Sequence, residues 1–330
     1  MNQQINLFDD LEPVKKLTGN ILVIDSHKAS HDGPVENLHW QNARMIADAL
    51  GADLIWSYPN VNEYVRGGYD AIVFVHASHY AYTDYAWIEQ NPNAKLYYVT
   101  NEYNLGEPRT LWMAAKAGRK YTVLANHPSR VSKVVMKYVD DWILMNLNSL
   151  VYGNYSHVNK GDHNCIYYGS YRDDRKEYFK KYFDGMTVST HLKNRTKFDA
   201  LGVQPDYINR LNIQRGDLAK YGFSLYIEDQ KTHTAYNYLA NRFYESLNSG
   251  TICLFDESCQ DTLALSDYPI DPSLVIKSKG NMLDVINSYD KSLPDELFAK
   301  AYVDKKTTLD QIKTIVNNHL VDKDINNKLR

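Results

Sequence analysis

The segment ANRFYESLNSGTICLFDE, residues 240–257, carries Arg242 and Glu245 three positions apart, a spacing that returns both side chains to one side of a helix. A guanidinium placed there could grip a pyrophosphate through paired N–H groups, and a carboxylate could accept both hydroxyls of a ribose. The same two groups could instead form an intrahelical ion pair worth only about half a kcal/mol. A second cluster, CIYYGSYRDDRKE (165–177), ends an apolar run at Gly169, sets Ser170 where an N-cap would stand and puts Arg172, Arg175 and Lys176 in the first turns of the next helix. The free N–H groups of a helix start attract an anion, and neighbouring cations add charge-assisted bonds. An ordinary capped helix with a solvated charged face is the alternative. Neither G-x-x-x-x-G-K-[ST] nor G-x-G-x-x-G occurs, which excludes a P-loop and a dinucleotide fingerprint.

The elements that must position these residues alternate along the chain. NILVID (20–25), ADLIWSY (52–58), AIVFVH (71–76), KLYYVT (95–100), YTVLAN (121–126) and WILMNL (142–147) read as buried strands, with a helix over 37–50 ended by Gly51. Polar, glycine-containing residues 152–163 suit a linker. The rhythm then restarts with strands at 165–170, 186–190, 223–229, 251–257 and 273–278, helices near 172–183, 236–248 and 281–289, and a charged helical tail from about 294 to 330. Short apolar strands alternating with helices predict α/β architecture, here two doubly wound Rossmann-like domains with strand C-terminal ends facing a central cleft.

A length of 330 residues suits two domains. There is no apolar run long enough for a transmembrane helix, and the start, MNQQINLFDDLEP, lacks a signal-peptide pattern, so a cytoplasmic location is expected. Cys165, Cys253 and Cys259 show no C-x-x-C spacing and read as reduced, mostly buried thiols. A net charge of −3 argues against nucleic acid as a partner overall, yet Arg109, Lys116, Arg119, Lys120, Arg130, Lys133 and Lys137 fall in a stretch, 108–139, with no acidic residue. Such a stretch is either a pair of solvated helix faces or a phosphate-gripping surface. His27, His31, His39, His76 and His79 collect in the N-terminal half at strand ends or in loops, and no pair shows helical H-x-x-x-H spacing with a partner carboxylate, so no metal site is expected. Asp322 and Asp324 form a D-x-D pair only in the charged tail.

YGSYRDDRKE, then LYIEDQ, then NRFYESLNSGTICLFDE resemble in order and residue type the donor domain of GT-B glycosyltransferases, most closely the β-glucosyltransferases of T-even phages that act on hydroxymethylcytosine in DNA. YDAIVFVHAS and KLYYVTNEYN resemble the N-terminal domain of that family more loosely. The resemblance implies an N-terminal acceptor domain over 1–155, a donor domain over 164–300 and a helical tail over 301–330. It implies no tightly bound cofactor, a UDP-sugar as co-substrate, Mg2+ at most as a non-essential aid, and a duplex DNA partner carrying hydroxymethylated pyrimidines. Carried over by position, donor phosphates fall to Ser170, Arg172, Lys176 and Arg242, the ribose to Glu245, the donor sugar to Asp229, and the uracil to backbone near Ser189–His191. Lys176 stands where the family has arginine, and this chain inserts residues between Asp229 and Arg242.

The family's catalytic aspartate falls on Asn101, and an amide cannot take a proton from an acceptor hydroxyl. The adjacent Glu102 is the favoured base. A base from the loop after the first strand, where Asp25, His27, His31, Asp32 and Glu36 gather, is the alternative. The resemblance assigns Arg109, Lys116, Arg119, Lys120, Arg130 and Lys133 to a DNA grip during base flipping, and leaves glucose or a pentose such as arabinose as the sugar. A GT-B enzyme acting on a glycan or small molecule, or a non-catalytic nucleotide-sugar or DNA-binding module, are the competing readings.

Overall fold

The computed structural model describes residues 20–25, 38–56, 65–75, 81–100, 116–126, 136–151, 155, 162–211, 216–228, 239–289 and 292–328. Among these, two six-stranded sheets with every pairing parallel form the scaffold. The first contains β1 (Ile21–Asp25), β2 (Asp53–Trp56), β3 (Ala71–Val75), β4 (Lys95–Thr100), β5 (Tyr121–Ala125) and β6 (Val139–Leu144), in spatial order β2-β1-β3-β4-β5-β6. Runs such as ILVID and AIVFV are buried at every position, as expected for parallel strands covered on both faces. Alternate residues feed two cores. Leu22, Ile24, Ile72 and Phe74 pack with Trp87 and Ile88 of α2 (Ala81–Gln90), while Ile21, Val23, Ala71 and Val73 pack with Ala43, Ile46 and Ala47 of α1 (Leu38–Leu50).

The second sheet contains β7 (Asp162–Tyr168), β8 (Thr187–Ser189), β9 (Asp206–Ile208), β10 (Tyr221–Tyr226), β11 (Ile252–Asp256) and β12 (Val275–Ile276), ordered β12-β11-β10-β7-β8-β9. Its helices are α3 (Lys176–Tyr182), α4 (Leu192–Asp199), α5 (Asn241–Asn248), α6 (Gln260–Ser266) and α7 (Lys279–Ser288). β9 and α4 are not anticipated by the sequence pattern, because DYI is short and half exposed and LKNRTKFD buries only Asn194 and Phe198.

The tail is one helix, α8 (Asp295–Lys328). It serves both halves: Leu297, Phe298 and Ala301 enter the second core, and Ile312 and Val316 enter the first beside α1. No helix among the described residues is long and apolar enough to cross a membrane.

Candidate functional site

Strand order decides where ligands can enter. In each sheet it reverses once, between β1 and β3 in the first and between β7 and β10 in the second. Helices leave opposite faces at such a reversal and open a crevice at the strand C-terminal ends. Asp25 is the last residue of β1, beside the first reversal, and is buried there.

Three charged side chains meet at the second reversal. Glu228, just beyond β10, accepts from Arg242 Nη1 at 2.6 Å and from Arg175 Nη2, and all three residues are buried. The Arg242 guanidinium also donates to the carbonyls of Tyr168 (Nη2, 2.9 Å) and Ile227 (Nη1, 3.3 Å), and its Cζ lies 4.8 Å from the centre of the Tyr167 ring. Burial opposes both guanidinium charges, and the Glu228 carboxylate more than compensates, so both arginines stay protonated. Two cations on one anion leave the cluster with a net positive charge. Among the described residues, Arg175 Nε and Arg242 Nε are buried without hydrogen-bond partners.

The backbone is shaped to admit this cluster. Gly169 follows β7 with φ +156°, and a Cβ there would lie 3.0 Å from both Arg242 Nη2 and the Tyr167 hydroxyl. Only a residue without a side chain lets the chain pass so close to the guanidinium.

The pair that opened the sequence reading therefore divides. Arg242 binds Glu228 rather than Glu245. Glu245, also buried, turns toward the other half, where Gln41 Nε2 of α1 lies 3.4 Å from its Oε1. Burial pushes its carboxyl above the ordinary range, and the Arg242 charge with hydrogen bonds from Tyr168, Asn241 and Gln41 offsets this only in part.

Ser170, Arg172 and Lys176 are exposed at the same strand edge, with Arg172 Nε 3.8 Å from Asp174. Ser189 is buried. Its hydroxyl donates to the Asn209 carbonyl at 3.1 Å and accepts from Leu211 N–H at 2.9 Å, while its carbonyl accepts from Gly169 N–H. Its hydroxyl thereby ties β8 to the segment after β9. His191 Nε2 lies 3.0 Å from Arg210 Nη1. Among the donor residues the structure thus brings Ser170, Arg172, Lys176, Arg242 and Glu245 to one edge, and Asp229 lies outside the described residues. The sequence reading gave Glu228 no role, although it stands beside Asp229 in YIED; an acidic residue at the end of an apolar strand was the available signal.

The two halves meet along these C-terminal edges, joined by a set of asparagines. Asn146 Nδ2 donates to the Tyr244 hydroxyl at 2.8 Å, and Asn148 Nδ2 donates to the Leu239 carbonyl at 3.1 Å. Asn126 and Asn42 hold the same connection from within the first half, Asn126 through Asn148 and Leu147 N–H, and Asn42 through the carbonyls of Leu147 and Leu150.

The basic residues separate from this edge. Arg119 and Lys120 immediately precede β5, at the N-terminal edge of the first sheet, opposite the seam. Arg119 donates to the carbonyls of Asn91 and Ala94, Lys120 Nζ lies 3.9 Å from Asp140, and Lys116 lies 4.6 Å from the Tyr85 ring centre. All three make their contacts within the first half. Arg109, Arg130, Lys133, Asn101, Glu102, His27, His31, Asp32, Glu36, His76 and His79 lie outside the described residues. No family model matches this chain, and no curated protein matches it.

Proposed function

We propose that this protein is a glycosyltransferase of GT-B architecture that moves a sugar from a UDP-sugar to the hydroxymethyl group of a 5-hydroxymethylpyrimidine in phage DNA. The observation that carries the reading is the cationic Arg175–Glu228–Arg242 cluster at the strand-order reversal of the second sheet, with Ser170, Arg172 and Lys176 beside it. In this reading the exposed Arg172 and Lys176 bind the diphosphate directly. The buried arginines act from behind, supplying a fixed positive field where charge grows on the leaving phosphate. Their hydrogen bonds to Glu228 and to backbone carbonyls keep them preorganised.

Glu245 accepts the ribose hydroxyls. Its 3.4 Å contact with Gln41 is at the long end for a hydrogen bond and yields readily to a diol. Transfer forms a bond from the acceptor oxygen to the anomeric carbon, breaks the bond from that carbon to the phosphate oxygen, and passes the acceptor proton to a base, assigned to Glu102 with Asp25 as the alternative. The DNA acceptor rests on the family resemblance, and the DNA grip falls to Arg109, Arg130 and Lys133, which follow β4 and β5 in the chain. Mass spectrometry of hydroxymethylated DNA incubated with the protein and a panel of nucleotide sugars tests the proposal. A mass increase of one hexose or pentose per modified base is expected, and no addition with any donor overturns it. Glu102→Gln should abolish transfer while donor binding persists, and Glu245→Ala should weaken the donor.

A further inference from the structure

A cavity of about 340 Å3 lies where the end of β6, the α5–α6 region and α8 come together, and none of Arg175, Glu228 and Arg242 lines it. Its polar side is a connected chain across three parts of the molecule. The Tyr268 hydroxyl donates to Asp304 of α8 and lies 3.4 Å from the Tyr244 hydroxyl, which in turn accepts from Asn146 of the first half. Asn146 Oδ1 is buried and, among the described residues, has no hydrogen-bond partner. Lys300 Nζ sits 5.0 Å over the Tyr268 ring, and Leu239, Met145 and Leu265 line the apolar side.

We propose that this cavity binds a neutral polyhydroxylated molecule of monosaccharide size, and that such a ligand holds the two halves in one relative orientation. The volume is in the range of small-molecule sites. The Asp304 carboxylate is an acceptor, which calls for a hydroxyl donor on the ligand, and the Lys300 ammonium and the Thr307 hydroxyl answer its oxygens. The apolar wall suits the C–H face of a sugar ring. A ligand touching β6, α5 and α8 together binds best when those elements keep this arrangement, so binding stabilises it by that difference in affinity.

The test is calorimetric titration of the full chain with free glucose, with glycine betaine as a hydroxyl-free control at equal osmolality. A saturable heat with a Kd on the order of millimolar is expected for glucose, and none for betaine. Gln311→Trp, which places an indole at the exposed rim of the cavity, should weaken glucose by about tenfold or more by filling the space. Glu245→Gln, whose side chain belongs to the other site, should leave the titration unchanged. A non-saturable response shared with betaine would reflect general exclusion from the protein surface and overturns the proposal. So does glucose binding that survives Gln311→Trp or is lost in Glu245→Gln. Should Gln311→Trp melt far below the native chain, Thr307→Trp, also at the rim, provides the same readout.

Discussion

Replacing Glu228 by glutamine isolates the buried ionic cluster from everything else in the fold. The shape of the side chain is kept, but one carboxylate that accepts from two guanidiniums becomes an amide. Its NH2 group then faces a guanidinium N–H, and two buried cations lose the carboxylate that they share. Two charge-assisted hydrogen bonds at roughly 1.5–3 kcal/mol each, or equivalently one broken buried ion pair at about 3–5 kcal/mol, set the expected loss. For a cooperative unit of 150–250 residues this corresponds to a fall of about 6–20 °C in melting temperature, at about 2–4 °C per kcal/mol. Circular dichroism during heating, supported by urea titration to obtain the free energy, measures it. Glu177→Gln is the control, because Glu177 meets Lys180 only at the surface at 3.1 Å and should cost less than about 1 kcal/mol. A Glu228→Gln protein that melts within about 3 °C of the native chain would refute the reasoning, since the two arginines would then be solvated or compensated elsewhere.

Other consequences are equally direct. Glu245 has a carboxyl raised by burial, so the folded state holds its proton more tightly than the unfolded one. Stability should decline as pH rises from about 4.5 through the folded value, and Glu245→Gln should flatten that slope in urea titrations taken across the range; an unchanged slope would show that the carboxyl is solvated. Asp256 has the opposite sign. Burial acts to raise it, but hydrogen bonds from Lys181, Ser258 and Tyr182 outweigh burial and hold it below the ordinary carboxylate range. Its contribution is present above about pH 4 and is lost as pH falls through the folded value, so Asp256→Asn should lower stability at neutral pH and narrow the gap to the native chain at pH 2–3. Gly169→Ala should cost about 1–3 kcal/mol from backbone strain alone, read from the urea midpoint, and a neutral result would mean that the backbone at 169 relaxes out of this conformation.

Under the proposed function, donor affinity and stability are coupled. A net positive buried cluster is held at a cost in desolvation, and an anionic ligand at the same edge offsets that cost only in the folded state. A nucleoside diphosphate should therefore stabilise the chain by mass action, and Arg172 and Lys176, being exposed, can be removed to weaken that effect without disturbing the core. Glu228 and Arg175 cannot be removed so cleanly.

Much of the scaffold was legible in the sequence because its signals are local. A run such as ILVID or AIVFV can be buried on both faces only within a parallel sheet, and the polar break at 152–163 divides two such sets of runs. The helical spacing of Arg242 and Glu245 was equally local, and it brought both to the α5 start. What those two residues face is not a local property. Arg242 meets a carboxylate 14 positions away and, through it, Arg175, which lies 53 positions from Glu228; Glu245 meets Gln41, 204 positions away. Only the strand order β12-β11-β10-β7-β8-β9 places the ends of β7 and β10 side by side so that these groups converge. The basic stretch shows the same division from the other direction. Composition made Lys116, Arg119 and Lys120 one cationic run with Arg130 and Lys133, but a strand has two ends, and Arg119 and Lys120, which precede β5, emerge at its N-terminal edge, away from the seam.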